Sequence, residues 1–173
     1  DDIEMAITHV IRGEDHLSNT WKHIDLIHAF GKHPPRYAHI PLILNPTGSK
    51  MSKRDEGASI ESYMQAGFLP EAVFNYLCLL GWTPRADKEK LDRQTLASLF
   101  DASEIHSANA RFDMTKCTWL NAHYLREMAP NALLAAASPF LKSAGIPVEA
   151  MPNAAAALQS VKEKVSLLTE LPS

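Results

Sequence analysis

The sequence predicts a mostly α-helical protein with a small α/β portion at its N-terminal end. Residues 6–12 and 40–44 are apolar runs of strand length, and a helical pattern separates them. Strand, helix and strand in this order are typical of a parallel α/β sheet. Beyond Gly57 the apolar residues recur every three or four positions, which is typical of helices.

The first predicted strand leads into a polar turn and then a helix. Because residues 6–12 show little polar alternation, we expect that strand to be covered on both faces. After the turn at residues 13–16, a side-chain oxygen is expected to cap the helix, from Ser18, Asn19 or Thr20. Gly31 is the expected stop. The apolar stripe of this helix consists of Trp21, Ile24, Ile27 and Phe30.

Six further helices follow from start and stop signals. Their expected starts are at or next to Ser59, Pro70, Thr95, Asp113, Pro130 and Pro152. Gly67 and Gly81 are expected to end the first two, and the charged segment 85–93 is expected to be a loop. Trp119 is interpreted as a core residue. The last helix is expected to carry a narrow apolar seam of Leu158, Val161, Val165 and Leu168.

Composition excludes several classes of protein. The chain has 173 residues and a formal net charge of -3, so a broadly basic surface is not expected. Apolar runs are too short to span a membrane. Cys78 and Cys117 are expected to be buried free thiols of an intracellular protein. The histidines lack ligand spacing, so no protein-bound metal is expected.

A cluster of cations follows the second predicted strand. Lys50, Lys53 and Arg54 lie in a loop that begins near Asn45. Such clusters are usually solvated surface, and this one lacks the first glycine of a P-loop. However, ligands of parallel sheets bind at the carboxyl ends of strands, and the charged turn 12–16 follows the first strand in the same way. We therefore expect one pocket that binds a polyphosphate.

Two strings of residues resemble glutamyl-tRNA synthetases, which are class I aminoacyl-tRNA synthetases. Residues 8–20 read Thr-His-Val-Ile-Arg-Gly-Glu-Asp-His-Leu-Ser-Asn-Thr, and residues 50–54 read Lys-Met-Ser-Lys-Arg. The second string is similar to the KMSKS-type loop of that class, with Arg54 in place of Ser, as is usual in the glutamyl branch. The resemblance extends from Asp1 to about Met128, through segments 68–72, 75–77, 80–82 and 112–113.

The resemblance implies three parts. Residues 1–57 would be the C-terminal half of a Rossmann-type nucleotide-binding domain, and residues 58–129 a helical domain of the stem-contact type. Residues 130–173 would begin a helical anticodon-binding domain. The chain starts at Asp1 without methionine and contains no HIGH-type motif, so we expect a piece of a longer polypeptide that is inactive alone.

The resemblance also implies the reaction and its ligands. The enzyme would activate L-glutamate with ATP, its Mg²⁺ held mainly by phosphates, and transfer the acyl group to tRNA in the cytoplasm without a membrane. Lys50 and Lys53 are the expected catalytic residues, and Arg12, Asp15 and His16 the expected substrate-binding residues. Arg12 would hold a carboxylate through its planar guanidinium. The expected ATP-binding residues are Ile43, Leu44, Lys50, Met51, Ser52, Lys53 and Arg54.

Three alternative functions stay open at this point. Two are related enzymes: a glutaminyl-tRNA synthetase, and the shortened paralogue that attaches glutamate to a modified base in tRNA. Helices that continue to Leu168 argue against the shortened form. The third is a non-catalytic, helical RNA-binding module whose basic loop is only surface.

Overall fold

The computed structural model describes residues 1–52, 55, 57–85 and 88–172. Its strands are β1 (His9–Gly13), β2 (Arg36–Ile40), β3 (Ile43–Leu44) and β4 (Ala110–Arg111). Its helices are α1 (Leu17–Ala29), α2 (Ile60–Ala66), α3 (Pro70–Gly81), α4 (Arg93–Leu99), α5 (Met114–Glu127), α6 (Pro130–Ser143) and α7 (Ala154–Val161). The predicted fold class, mostly α with a small α/β portion, is confirmed.

The α/β portion is one parallel strand pair with a helix between its strands. β1 and β2 pair in parallel, with Arg12 opposite His39 and Val10 opposite Tyr37. These four side chains are half-buried, whereas His9, Ile11, Arg36 and Ala38 at alternate positions are exposed, Ile11 to 57%. The expectation that the first strand is covered on both faces is therefore wrong. The described residues cover only one face of the pair.

The predicted strand at residues 40–44 is divided in two. β2 ends at Ile40, and Pro41 cannot donate a hydrogen bond to a continued ladder. The chain resumes as β3, which pairs in parallel with β4. Residues 40–44 therefore link the α/β portion to the helical region.

Helix α1 begins without the expected side-chain cap. A short 3₁₀ turn, Glu14–His16, leads directly into Leu17, and the residue before the helix makes no side-chain capping bond. The prediction of a cap from Ser18, Asn19 or Thr20 is wrong, since all three lie inside the helix. The predicted stop is confirmed: the helix ends at Ala29, and Gly31 has a left-handed backbone with φ of 67°.

The predicted ends of α2, α3 and α5 are confirmed, whereas α4 begins at Arg93 and not at Thr95, so Arg93 is helical and not part of the expected loop. Helix α2 lies between Ser59 and Gly67, and α3 spans Pro70–Gly81. Asp92 caps α4 by accepting a hydrogen bond from the Thr95 amide at 2.9 Å. Asp113 caps α5 in the same way, since it accepts from the Lys116 amide at 3.2 Å.

Three expectations for the C-terminal half are wrong. Pro152 does not begin a helix, because α7 starts at Ala154 and ends at Val161. Val165 and Leu168 are buried but lie in turns beyond that helix, so the expected seam is not carried by one helix. Trp119 is 48% exposed, and its neighbour Leu120 takes the buried position instead.

The core consists of two apolar clusters within the helical region. The first joins α3, α5, α6 and α7, and its largest members include Leu69, Leu125, Leu133, Leu141, Leu158 and Leu168. The second joins α2, α3 and α5 and includes Tyr63, Phe68, Tyr76, Phe112, Cys117 and Leu120. The segment after Pro130 thus shares the first apolar cluster with α3 and α5. Cys78 and Cys117 are free thiols, the first half-buried and the second buried.

The segment of residues 166–169, here called the C-terminal clasp, is hydrogen-bonded to the start of the helical region. The buried Asn121 side chain accepts from the Leu69 amide at 2.8 Å and donates to the Ser166 carbonyl at 2.5 Å. The Leu168 amide donates to the Gly67 carbonyl at 3.0 Å. Gly67 has φ of 85°, and a Cβ there would lie 2.7 Å from the Thr169 nitrogen, so this approach requires glycine.

Candidate functional site

Two charged loops meet at the carboxyl ends of β1 and β2. The turn after β1 carries Asp15, and the loop after β3 carries Lys50. The Lys50 ammonium lies 2.6 Å from the Asp15 carboxylate, a close ion pair between residues 35 positions apart. The strands that precede these loops lie in separate two-stranded sheets, β1 with β2 and β3 with β4, so the ion pair and not a shared sheet edge joins the two loops.

The side chain of Asn45 sets the shape of the loop. Its amide oxygen accepts hydrogen bonds from the Thr47 amide, the Thr47 hydroxyl and the Ser49 amide at 3.1, 2.7 and 3.0 Å. Gly48 supplies the left-handed backbone of the turn, with φ of 91°. Lys50 then returns antiparallel to Leu44. The cation is therefore held on a formed turn.

The loop is anchored beyond the turn by Met51 and Asp55. Met51 is half-buried against the second apolar cluster, and its amide donates to the Ile43 carbonyl at 3.0 Å. The Ser52 amide donates to the Asp55 carboxylate at 2.6 Å. Lys53 and Arg54, the other two expected site cations, lie outside the described residues.

Arg12 lies at the end of β1 and is held by its neighbours. Its Nη2 donates to the Thr20 hydroxyl at 2.7 Å and to the His16 carbonyl at 3.4 Å. The guanidinium carbon lies 5.5 Å from the centre of the Tyr37 ring, which is a cation–π distance. Thr20 also contacts His39 Nε2 at 2.8 Å. Arg12 thus belongs to a network of strand and helix side chains.

The charge of Asp15 is stabilised by the site. The hydrogen bond from Lys50 is the main cause that holds the pKa of Asp15 below its usual value, and the positive charge of Lys50 acts in the same direction. His16 is exposed, and its Nε2 lies 3.8 Å from the same carboxylate. Asp15 therefore stays ionised at neutral pH and is paired with the Lys50 ammonium.

A cavity of about 470 Å³ lies beside these loops. Its walls come from the segment 40–43, the loop residues 50–52 and the start of α2 near Tyr63. Lys50, Met51, Ser52 and Ile43 line this cavity together, whereas Leu44, Arg12, Asp15 and His16 do not. Gly57 is also required in its wall, because a Cβ there would lie 2.2 Å from the Phe112 ring.

Comparison with known proteins establishes the family. Residues 1–119, which carry both loops and the cavity, match the family of tRNA synthetases class I (E and Q), catalytic domain. The chain belongs to this family. This class I synthetase chain is also similar to glutamate–tRNA ligases, so the resemblance seen in the sequence is confirmed.

Two bacterial relatives illustrate the similarity. The glutamate–tRNA ligase of Akkermansia muciniphila is 49% identical over 172 residues, which are 99% of this chain and 39% of the relative. That of Methylacidiphilum infernorum is 53% identical over 146 residues, which are 84% of this chain and 33% of the relative. The chain therefore spans about two fifths or less of the length of these relatives.

Solved structures agree with the sequence relatives. A crystal structure of a glutamate tRNA ligase from Elizabethkingia meningosepticum, in complex with its amino acid, superposes with a TM-score of 0.83 at 33% identity. The match covers 99% of this synthetase chain and 38% of that protein. A glutamate-tRNA synthetase from Elizabethkingia anophelis matches with the same score, identity and coverage.

Sequence reasoning missed four polar residues around the site: Thr20, Tyr37, His39 and Asp55. Thr20 was interpreted as a candidate cap, although its position near the start of α1 faces the strands. The register of a parallel pair was the signal for His39, since it lies opposite Arg12.

Among the described residues, no group of three or more His, Cys, Asp or Glu side chains is arranged to hold a metal ion. None of the described helices has the length and apolarity needed to cross a membrane.

Proposed function

We propose that this chain supplies part of the ATP and glutamate site of a glutamate–tRNA ligase. The complete protein would activate L-glutamate with ATP and transfer it to the 3′ end of tRNA. One observation carries the proposal: the Lys50–Asp15 contact, which joins the charged turn after β1 to the charged loop after β3. The relatives named above, which are glutamate–tRNA ligases, support the choice of amino acid.

The cavity suits a nucleotide. Its lining is mainly apolar at the segment 40–43, where an adenine has backbone groups and apolar edges to contact, and Lys50 provides a cation beside it. We assign ATP binding to Ile43, Lys50, Met51 and Ser52, which line the cavity, and by the resemblance alone to Leu44, Lys53 and Arg54. Leu44 does not line the cavity, and Lys53 and Arg54 lie outside the described residues. Mg²⁺ would be held mainly by the phosphates, since this ion keeps few protein ligands in such sites.

Arg12, Asp15 and His16 are assigned to the amino acid and the end of the tRNA. The guanidinium of Arg12 has the fork geometry that a carboxylate accepts. Asp15 is ionised and offers an acceptor to an ammonium group or a ribose hydroxyl. The Elizabethkingia ligase, whose structure is in complex with its amino acid, supports an amino-acid site in a fold of this kind.

The chemistry explains why the site needs cations. A glutamate carboxylate oxygen bonds to the α-phosphorus while the bond from that phosphorus to the pyrophosphate oxygen breaks, and pyrophosphate leaves with the electron pair. Lys50 and Lys53 would stabilise the charge that develops on the leaving group. A ribose hydroxyl of tRNA then attacks the acyl carbon and AMP leaves. Lys50 exchanges its contact with Asp15 for phosphate oxygens during the first step.

The three-part organisation is proposed on the same basis. Residues 1–57 would complete the nucleotide-binding domain, residues 58–129 would contact the tRNA stem and residues 130–173 would begin the anticodon-binding domain. We place the complete protein in the cytoplasm, with ATP, L-glutamate and tRNA as its partners. The chain alone is expected to be inactive, because it corresponds to about two fifths of the relatives.

The test is aminoacylation of tRNA by the full-length protein that carries this chain. Lys50→Ala is expected to lower kcat by about 100-fold or more, because it removes a preorganised cation from the developing charge. Lys32→Ala is the matched control, since Lys32 is an exposed cation outside the site, and it should stay within about twofold of wild type. Wild-type rates for Lys50→Ala would contradict the proposal.

Product analysis separates the related functions. Glutamate attached to the 3′ end of tRNA supports the proposal, whereas glutamine attached there supports a glutaminyl enzyme. Glutamate attached to an internal base supports the tRNA-modifying paralogue. Binding of tRNA with no transfer of any amino acid supports a non-catalytic RNA-binding module.

A further inference from the structure

The side chain of Thr20 is buried beside the strand pair, although it carries a polar hydroxyl. It is 5% exposed, and with Asn75 and Asn121 it is one of three buried polar residues among those described. Both asparagines lie in the helical region, so Thr20 is the buried polar residue of the α/β portion. Burial of a hydroxyl group costs free energy of folding unless the group is hydrogen-bonded. The hydrogen bonds of Thr20 therefore offset this cost.

Three groups contact the Thr20 hydroxyl. Arg12 Nη2 lies at 2.7 Å, His39 Nε2 at 2.8 Å and the His16 carbonyl oxygen at 3.2 Å. Arginine is always a donor, so the hydroxyl oxygen accepts from Arg12. Its single proton goes to His39 or to the carbonyl, and in the second case His39 donates to it. The hydroxyl is therefore fixed from three sides in either arrangement.

Thr20 is also the main hydrogen-bond partner of Arg12. The other acceptor, the His16 carbonyl, lies at the longer distance of 3.4 Å. Arg12 Nε is buried and has no hydrogen-bond partner among the described residues, and the guanidinium lies against the Tyr37 ring. Within the described part of the chain, the orientation of the guanidinium thus depends on one short bond from the helix and one ring from β2.

We infer that Thr20, supported by His39, is a positioning residue that orients the guanidinium of Arg12 toward the carboxylate of the amino acid. The inference rests on the proposed function, in which Arg12 binds that carboxylate. A guanidinium binds a carboxylate through two parallel hydrogen bonds, so its plane must be set before the ligand arrives. Thr20 sets that plane from a helix, which is a more rigid support than a loop.

The test compares Thr20→Val with Thr20→Ser in the full-length protein that carries this chain. Valine keeps the shape of threonine and removes the hydroxyl. It is expected to raise the KM for glutamate about tenfold or more, because a hydrogen bond to a charged group is lost. The KM for ATP should change by less than about twofold, since the ATP contacts assigned above are elsewhere. Thr20→Ser should restore most of the glutamate affinity.

Ser18→Ala is the matched control, because Ser18 is an exposed hydroxyl on the same helix and should leave both KM values unchanged. A double-mutant cycle adds a second criterion. On the Arg12→Ala background, Thr20→Val should have no further effect on the KM for glutamate, since it acts through Arg12. An effect of the same size on both backgrounds would overturn the inference.

The failure of the inference differs from the failure of the proposed function. If Arg12→Ala raises the KM for glutamate and Thr20→Val does not, the inference is wrong and the proposed function stands. If Arg12→Ala leaves that KM unchanged, the assigned role of Arg12 is wrong and the inference fails with it. Equal increases in both KM values with Thr20→Val would mean a structural role only, which also overturns the inference.

A second variant covers the case in which Thr20→Val does not fold. His39→Leu removes the other side-chain partner of the Thr20 hydroxyl. It should raise the KM for glutamate about threefold, as expected for a neutral hydrogen bond, with the KM for ATP unchanged. An unchanged KM for glutamate in this variant would count against the support assigned to His39.

Discussion

The α/β portion, residues 1–52, carries the candidate site residues, whereas the helical region, residues 58–172, carries most of the buried core. In the described residues, the α/β portion contributes Thr20 and Ile27 to the buried set, whereas the helical region contributes both apolar clusters. The α/β portion in turn supplies the contacts around Arg12 and Asp15. The candidate site thus lies where the core is thinnest.

The difference follows from how much apolar side-chain surface each region buries. Helices α3, α5, α6 and α7 pack on several sides and bury whole side chains. The strand pair has one covered face, and large apolar residues of α1 such as Trp21 are mostly exposed. Burial of apolar surface is the main source of stability, so the helical region should dominate the free energy of unfolding.

The largest expected effect comes from the helical core. Leu125→Ala should lower the free energy of unfolding by about 2–5 kcal/mol, because Leu125 is fully buried in the first apolar cluster and its loss leaves a cavity. Ile27→Ala is the matched change in the α/β portion and should cost less than about 2 kcal/mol, since exposed neighbours can move into the space. Urea denaturation followed by circular dichroism measures both. Equal losses of unfolding free energy in the two variants would contradict the larger contribution assigned to the helical region.

The clasp gives the next largest effect. Asn121→Leu should cost about 1–3 kcal/mol, because the Leu69 amide and the Ser166 carbonyl lose their buried partner. Asn19→Leu is the control in the α/β portion, because among the described residues its side-chain amide contacts the exposed His16 ring alone, at 3.5 Å, and no resolvable loss is expected. Thermal unfolding of the two variants measures the difference, and a stable Asn121→Leu variant would argue against the clasp.

Alkaline pH should destabilise the helical region selectively. Burial raises the pKa of Tyr76 from 10.0 to about 12, and its hydroxyl accepts from the Asp113 amide at 2.7 Å. The unfolded state ionises first, so this stability is fully present below pH 10 and is lost as the pH rises toward 12. At pH 11 the loss should be about 1 kcal/mol.

Urea midpoints at pH 9 and 11 measure this loss. The Tyr76→Phe variant is the control, because it has no phenol to ionise at that position and should lose less stability over the same interval. An equal loss in both proteins would show that other groups cause the alkaline effect.

The smallest effect on stability should come from the site. Lys50→Met should return the pKa of Asp15 toward its usual value, since the hydrogen bond from Lys50 is the main cause of its lowering. A lowered pKa stabilises the fold above the ordinary value of 3.8, and that contribution is lost as the pH falls below it. Carbon NMR of the Asp15 carboxyl group measures the shift. An unchanged pKa would show that the two side chains are not paired in solution.

Patterns local to the chain predicted most of the helical ends. Gly67, Pro70 and Asp113 act through local backbone geometry or neighbouring backbone groups, so their effect is visible in the sequence, whereas Ser59 precedes α2 without a side-chain capping bond. The division of the predicted strand at Pro41 follows from the missing backbone N–H of proline, which is visible in the sequence. Packing between distant parts of the chain was harder to predict from the sequence. Trp119, for example, was expected in the core but is exposed.

The site was predictable only in part. The cations of the loop and the turn after β1 were found from strand ends and from the family strings. The partners of Arg12 were not found, because Thr20 resembles a helix cap in the sequence and reaches its partners only after β1, α1 and β2 are packed. The roles assigned to Arg12, Asp15, His16, Lys50 and Lys53 stay predictions.

The C-terminal clasp has a consequence for the rate of folding. Thr169 donates from its hydroxyl to the Ala66 carbonyl across 103 positions of sequence, so distant segments must meet before the C-terminal end of α2 is held. Contacts of such high sequence separation slow folding. Tyr63 of α2 forms part of the cavity wall beside Lys50. We therefore expect the cavity to be completed late in folding, after α5 and α6 have packed.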